Sequence, residues 1–411
     1  MRTGSAIAWM LLFYCGEPSS GASPAEPARL YGLLQAVPQH LAVCREAGLR
    51  VALVAVSWDR FEPKEGLFDE EYIKSVAAEK EHLRKLGYKL QVDLGVQYPP
   101  AWVYKLSQGR YRDQFGDTFV SKLSGEDLPN VVFNADIRKR VAAYFAEIFS
   151  RLGNDWDFVR LGCAKFGELN YPQYRFNGHE NCYWAYDDLA QGKVPGLPEG
   201  IVPCPLPGWI PGGSSQEHAS AKTFIEWYLD CLNNYQEWQI ATVRRWYAGD
   251  VCMLYGSWGL RPGWLENAVS GDLGGSTSCE RNGEIQQGFD WTRMIGGIRD
   301  PHVTVYCTWV DGTIGNRDIA DDNTVDPSRW SPVHWQYTLA QANPLRLRVC
   351  GENTGHNNRE AMRITFERIK RFNLMGLMWA FDSELFADPN PEGRVTFTDY
   401  LKFIQADSEH H

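Results

Sequence analysis

Short apolar runs rich in Val, Leu and aromatic residues alternate along the chain with longer stretches whose apolar positions recur every three or four residues. The first pattern predicts buried strands and the second amphipathic helices. Eight runs fit strands, at 30–35, 51–58, 88–97, 158–167, 251–258, 303–310, 345–351 and 375–381. Between them, Ile137, Val141, Tyr144, Phe145 and Ile148 fall on one helical face behind Asn134 as N-cap, and Met362, Phe366 and Ile369 fall on another. A long helix is expected over 221–247. Strands and helices in alternation predict βαβ units around a parallel sheet, and eight such units predict a closed (β/α)8 barrel. No linker or shift in composition marks a second domain, so 26–409 reads as a single catalytic barrel. The largest insertion, the Pro- and Gly-rich stretch 173–216, follows the fourth strand and is expected to lie over the C-terminal face.

The start of the chain has a different pattern. Arg2 precedes an apolar run at 5–15, and small residues follow it. This predicts a secretory signal peptide over 1–25, cleaved near 22–25, and a secreted or periplasmic protein. The run is too short to span a bilayer, so no membrane association is expected after cleavage.

Charge and composition narrow the function. Lys and Arg total 41 against 51 Asp and Glu, a net charge of −10, which argues against a nucleic-acid partner. The 10 Cys include no CxxC pair, the 9 His are scattered, and neither HExxH nor an EF-hand loop occurs, so no metal or other cofactor is expected. Cys163, Cys252, Cys307 and Cys350 sit in strand-like runs and read as buried thiols, whereas Cys182 and Cys204 share one loop and could pair. The absence of GxSxG argues against an α/β-hydrolase.

A barrel concentrates its chemistry at the C-terminal ends of its strands. Glu168 follows the fourth strand and Glu352 the seventh, roughly across the barrel from each other. Two carboxylates flanking a bond are what glycoside hydrolysis needs, one to protonate the leaving oxygen and the other to attack the sugar or activate water. Trp58, Trp102, Trp258, Trp309 and Trp379 lie at or just past predicted strands, where flat rings could pack on the C–H face of a sugar. Asp93 and Gln97 on the third strand, Tyr255 on the fifth and Asn353 beside Glu352 are candidate hydroxyl ligands. Asp311, His356, Asp382 and Glu384 stand near the same face, and Asp382 or Glu384 is an alternative second carboxylate.

These residues resemble known families. The segment Trp58-Asp59-Arg60-Phe61-Glu62-Pro63-Lys64-Glu65-Gly66-Leu67-Phe68-Asp69 is similar to the W-x-x-x-E-P-x-x-G-x-[FY]-D signature of family 42 β-galactosidases, which are retaining (β/α)8 glycoside hydrolases of clan A. Tyr98-Pro99-Pro100-Ala101-Trp102 resembles their P-x-W turn, and Trp379 their sugar platform on strand eight. That resemblance implies Glu168 as acid/base and Glu352 as nucleophile, although Gly167 stands where those enzymes carry Asn. Gly167-Glu168-Leu169-Asn170-Tyr171-Pro172 and Arg348-Val349-Cys350-Gly351-Glu352-Asn353 are similar to the G-E-L-R-Y-P and R-V-A-G-E-N motifs of family 14 β-amylases, which adds Tyr171 to the candidate site. This second resemblance implies inversion, with Glu168 as general acid and Glu352 as general base. The expectation is a glycosidase acting on an oligo- or polysaccharide, retaining by preference and inverting as the alternative. A sugar-binding barrel without catalysis is the rival from another class.

Overall fold

In a computed structural model the described residues are 28–122, 127–213, 218–275, 283–312, 320–355 and 357–409. The predicted signal peptide and His356 lie outside them. Eight strands close a barrel in sequence order: β1 Leu30–Leu33, β2 Val51–Ala55, β3 Lys89–Asp93, β4 Phe158–Leu161, β5 Asp250–Tyr255, β6 Val303–Cys307, β7 Val349–Glu352 and β8 Gly376–Trp379. Every pairing is parallel, and β1 against β8 makes the closure, with Leu30 opposite Gly376 and Leu33 opposite Trp379. Gly376 is needed at this seam, because a Cβ there would strike the Leu30 carbonyl. The barrel expected from the sequence is therefore present.

The strands stop earlier than their apolar runs. The ladder ends where the chain turns into the mouth, and the turns use left-handed backbone at Gly95 (φ 62°) and at Cys163 (φ 50°). The seventh strand starts later than expected, at Val349, because Arg346 (φ 48°) breaks the extended run before it.

Helices cover the outside: α1 Leu41–Glu46, α2 Trp58–Phe61, α3 Glu70–Lys85, α4 Ala135–Leu152, α5 His218–Val243, α6 Trp264–Ser270, α7 Trp291–Gly297, α8 Pro332–Ala342, α9 Arg359–Arg371, α10 Asp382–Leu385 and α11 Phe397–Ser408. Asn134 caps α4 as expected, its side chain accepting from the Asp136 and Ile137 amides. On α9, Met362, Phe366 and Ile369 are buried against the sheet, while of the basic residues of its last turn Lys370 and Arg371 are exposed and Arg368 is buried. Helix α11 ties the end of the chain to its beginning. Arg29 Nη1 donates to both oxygens of Asp407 (2.7 and 2.9 Å), Tyr31 Oη donates to the same carboxylate (2.6 Å), and Tyr400 Oη donates to the Gly32 carbonyl (3.1 Å).

Among the described residues the insertion after β4, 173–213, has no regular element before α5, yet it is packed. Cys182, Tyr183 and Trp184 are fully buried, and Tyr183 and Trp184 edge onto Phe224 and Phe119. Cys182 and Cys204 are both free thiols, so the pairing considered above does not form. Each is buried among other partners, Cys182 beside Asp113 and Cys204 beside Gln191, and no turn of the loop brings the two sulfurs together. The thiols of Cys163, Cys252, Cys307 and Cys350 are buried, as their strand positions predicted.

Candidate active site

The site is built on strand alternation. In β4 to β7 every second residue turns inward, so Phe158, Cys252, Leu254, Tyr306 and Cys350 form a small cluster inside the barrel. The inward positions nearest the mouth are polar. Arg160 on β4, Tyr306 on β6 and Glu352 at the end of β7 meet there. Arg160 Nη1 lies 3.3 Å from Glu352 Oε2, and Tyr306 Oη donates to the same oxygen at 2.8 Å. Both partners bond the same carboxylate oxygen.

Glu168 stands past β4, after a turn that includes Phe166 in left-handed backbone (φ 61°). Thr308 Oγ1, just beyond β6, donates to Glu168 Oε1 at 2.6 Å, and Asn170 Nδ2 approaches Oε2 at 3.4 Å. Gly256, just beyond β5, provides the floor, since a Cβ there would fall directly on the Glu168 carboxylate. We therefore expect Gly256→Ala to fold with little change in Tm and to lose most activity, because the carboxylate must swing away from its bond to Thr308. A G256A protein as active as the parent in a turnover assay would show that the position of Glu168 is not needed.

The two carboxylates differ in their charge environment. Burial raises the Glu168 pKa, Thr308 opposes this, and the Glu352 charge adds to it, leaving Glu168 pushed up to about 7. Burial also raises Glu352 and the net direction stays upward, but there the Arg160 charge and the bonds from Tyr306 and Arg160 oppose the shift by stabilising the anion. Burial alone would lower Arg160, yet the Glu352 charge outweighs it and holds the guanidinium protonated. The arrangement thus holds one carboxyl that keeps its proton near neutrality and one that is paired with a cation.

The other candidates divide. Asp93 is on the floor, accepting from Gly95 N (3.0 Å) and Gln97 Nε2 (2.8 Å), and the Cβ position of Gly167 faces both side chains at 3.4 and 3.9 Å. Asn353 is buried at the end of β7, and its Oδ1 accepts from the Ala380 amide at 2.7 Å. Trp309 is half-buried and edge-on to Trp258, with ring centroids 6.4 Å apart, and Trp102 is half-buried and edge-on to Trp58.

Five candidates are packing residues instead, with no ring face open to a ligand. Trp58 is stacked on Tyr144 of α4, and its Nε1 donates to Glu62 (2.9 Å). Tyr171 is stacked on Tyr228 of α5 at 4.0 Å. Tyr255 points outward, as alternation with Leu254 requires, and its Oη donates to Gln236 of α5. Trp258 is about 2% exposed, and Trp379 is enclosed against Tyr400. The Trp58-to-Asp69 segment is an architectural loop: Glu62 accepts from Trp58 and from the Gly66 amide, and its carbonyl accepts from Trp102. Asp382 and Glu384 are not a second carboxylate pair. Asp382 accepts from the Val37 amide and pairs with His40, while Glu384 pairs with Arg394 on the surface. Asp311 is buried and accepts from Thr354.

Sequence reasoning missed Arg160, Tyr306, Thr308 and Glu284. An Arg inside the apolar run Phe-Val-Arg-Leu was the available signal for the first. Glu284 is fully buried and pushed up to about 7, by burial first, and it accepts from the Ser257 hydroxyl and from the amides of Trp258 and Gly259. It pins the loop that carries Gly256. Among the described residues no group of three His, Cys, Asp or Glu side chains could hold a metal ion.

A scan against family models and a search of curated protein sequences both find no match. Solved structures share the fold. The catalytic domain of a β-amylase from Paenibacillus polymyxa is similar at TM-score 0.64 and 16% identity, over 92% of this chain and 97% of that one. β-Galactosidases from the psychrophilic Marinomonas ef1 and from Bacillus circulans sp. alkalophilus are similar at TM-score 0.57, with 12% and 11% identity. The chain spans 59% and 56% of their lengths.

Proposed function

We propose that this chain is a glycoside hydrolase in which Glu168 protonates the departing glycosidic oxygen. The observation that carries the reading is the unequal pair at the mouth: a buried Glu168 held near pKa 7, across from a Glu352 anion held by Arg160 and Tyr306. In such a site the acid gives its proton as the C–O bond breaks, and the anion supports the positive charge that develops on the sugar. Buried polar atoms of Gln97, Asn170 and Asn353 have no partner among the described residues, a condition that suits hydroxyl recognition. The similar structures, those of a β-amylase and of β-galactosidases, support the same class.

For the second half of the reaction we favour Glu352 as the base that activates water, giving inversion. The fold likeness to the β-amylase domain covers nearly the whole of both chains, and Gly167 takes the place of the Asn found in the retaining enzymes. Retention, with Glu352 as nucleophile, is the second reading, supported by the likeness to the β-galactosidase barrels. Proton NMR of the anomeric signals during cleavage of maltose-, cellobiose- and galactobiose-type oligosaccharides tests both. A first product of opposite configuration supports inversion, and one of the same configuration supports retention. Binding without cleavage would favour a non-catalytic barrel and sink the hydrolase reading. We also propose export of the mature chain, directed by residues 1–25.

The pKa directions set the pH profile. Activity requires Glu168 protonated, so kcat/KM is expected to fall above pH about 7. It also requires Glu352 ionised, so it falls again on the acid side. Thr308 lowers the Glu168 pKa by bonding its anion, so Thr308→Val is expected to move the alkaline limb to higher pH. An alkaline limb unmoved by that substitution would assign it to another group.

A further inference from the structure

We infer that Phe166 and Phe381 are saccharide-stacking platforms on the two rims of the cleft, Phe166 for the sugar on the leaving-group side and Phe381 for the sugar on the other. This rests on the glycoside hydrolase reading and extends it to two binding subsites. Three observations meet in these residues.

The first is exposure. Most large aromatic side chains around the barrel are buried, yet Phe166 is 52% and Phe381 42% exposed. The second is backbone. Both have φ of 61°, the left-handed region that a bulky residue enters only at a cost in strain. A Gly or Asn would fit each position without that cost. The strain therefore holds a large apolar ring in water, which stability alone does not explain.

The third is place. Phe166 stands two residues before Glu168 on the same turn, which sets it beside the group that would deliver the proton to the departing sugar. Phe381 follows β8 and rests on Gly355, three residues beyond Glu352. The Asn353–Ala380 bond ties those two loops together, which fixes the ring relative to Glu352. Lys165 lies 4.8 Å from the Phe166 ring centroid and is anchored by Gln173, which orients the ring further. A pyranose offers an apolar C–H face of the size of one phenyl ring.

Glycine substitution separates binding from structure, because it removes ring and strain together. The full-length protein and its Phe166→Gly and Phe381→Gly variants are assayed on maltose to maltoheptaose, cellobiose to cellohexaose and β-1,4-galactobiose to galactotetraose, with Tm measured in parallel. For the series that the parent cleaves, kcat/KM on the longer members is expected to fall about tenfold or more in each variant, with Tm unchanged or higher. Variants within twofold of the parent on every member, or variants whose Tm falls by many degrees, overturn the platforms and leave the hydrolase reading standing. A parent that neither binds nor cleaves any member overturns both.

Discussion

Glu168→Gln is expected to slow cleavage of a natural oligosaccharide roughly 100- to 10,000-fold, the usual contribution of a positioned general acid. Gln keeps the shape of the side chain and can still accept from Thr308 Oγ1, so oligosaccharide affinity should change little. The loss should shrink on an activated aryl glycoside whose leaving group departs without a proton. Equal slowing on both substrates in steady-state assays would remove Glu168 from the proton-donor role. Stability gives a second readout. The folded pKa of about 7 lies above the unfolded value, so the folded state holds the proton longer. That stabilisation is complete below the unfolded pKa and is lost as pH rises through about 7. Urea unfolding should therefore show a fall in stability between about pH 5 and 8 that is smaller in E168Q.

Arg160→Met is the second large effect. It leaves Glu352 in a buried site with the bond from Tyr306 but without its cation, and removing one member of a buried pair costs about 3–5 kcal/mol. The protein can recover part of this by protonating Glu352. The acid limb of kcat/KM is therefore expected to move to higher pH, with activity at neutrality reduced by tenfold or more. The sign is fixed by linkage: a carboxyl whose folded pKa is raised loses stability as pH rises, so the variant should be closer to the parent at pH 5 than at pH 8. Equal destabilisation at the two pH values in denaturant titrations would mean that Arg160 does not neutralise Glu352.

The barrel was legible because β-branched and aliphatic runs of strand length, separated by helical periodicity, leave few other arrangements. The Asn134 cap and the α9 face were legible for the same local reason. The places of Glu168 and Glu352 at the barrel mouth were legible because each is a charge directly after an apolar run. Trp58, Trp258 and Trp379 misled because position after a strand does not tell which way a side chain points. Trp58 turns into the layer between sheet and α4, and Trp258 and Trp379 are likewise enclosed. Arg160 and Tyr306 were hidden because a polar residue within a buried strand finds its partner on another strand, across the barrel for Arg160 and on the neighbouring β7 for Tyr306. Phe166 and Phe381 were hidden because their meaning lies in a dihedral angle.

The seam between β1 and β8 also dictates an order of assembly. The first strand has β2 on one side from early in synthesis, but its other edge stays open until residues 376–379 have been made. The clasp of Arg29 and Tyr31 on Asp407 spans 378 and 376 positions and waits longer still. Contacts so distant along the chain are slow to form, and an unpaired strand edge is open to the wrong partner in the meantime. A ribosome-bound chain must therefore carry β1 half-paired through most of its translation, and it becomes a ring only when the last strand arrives.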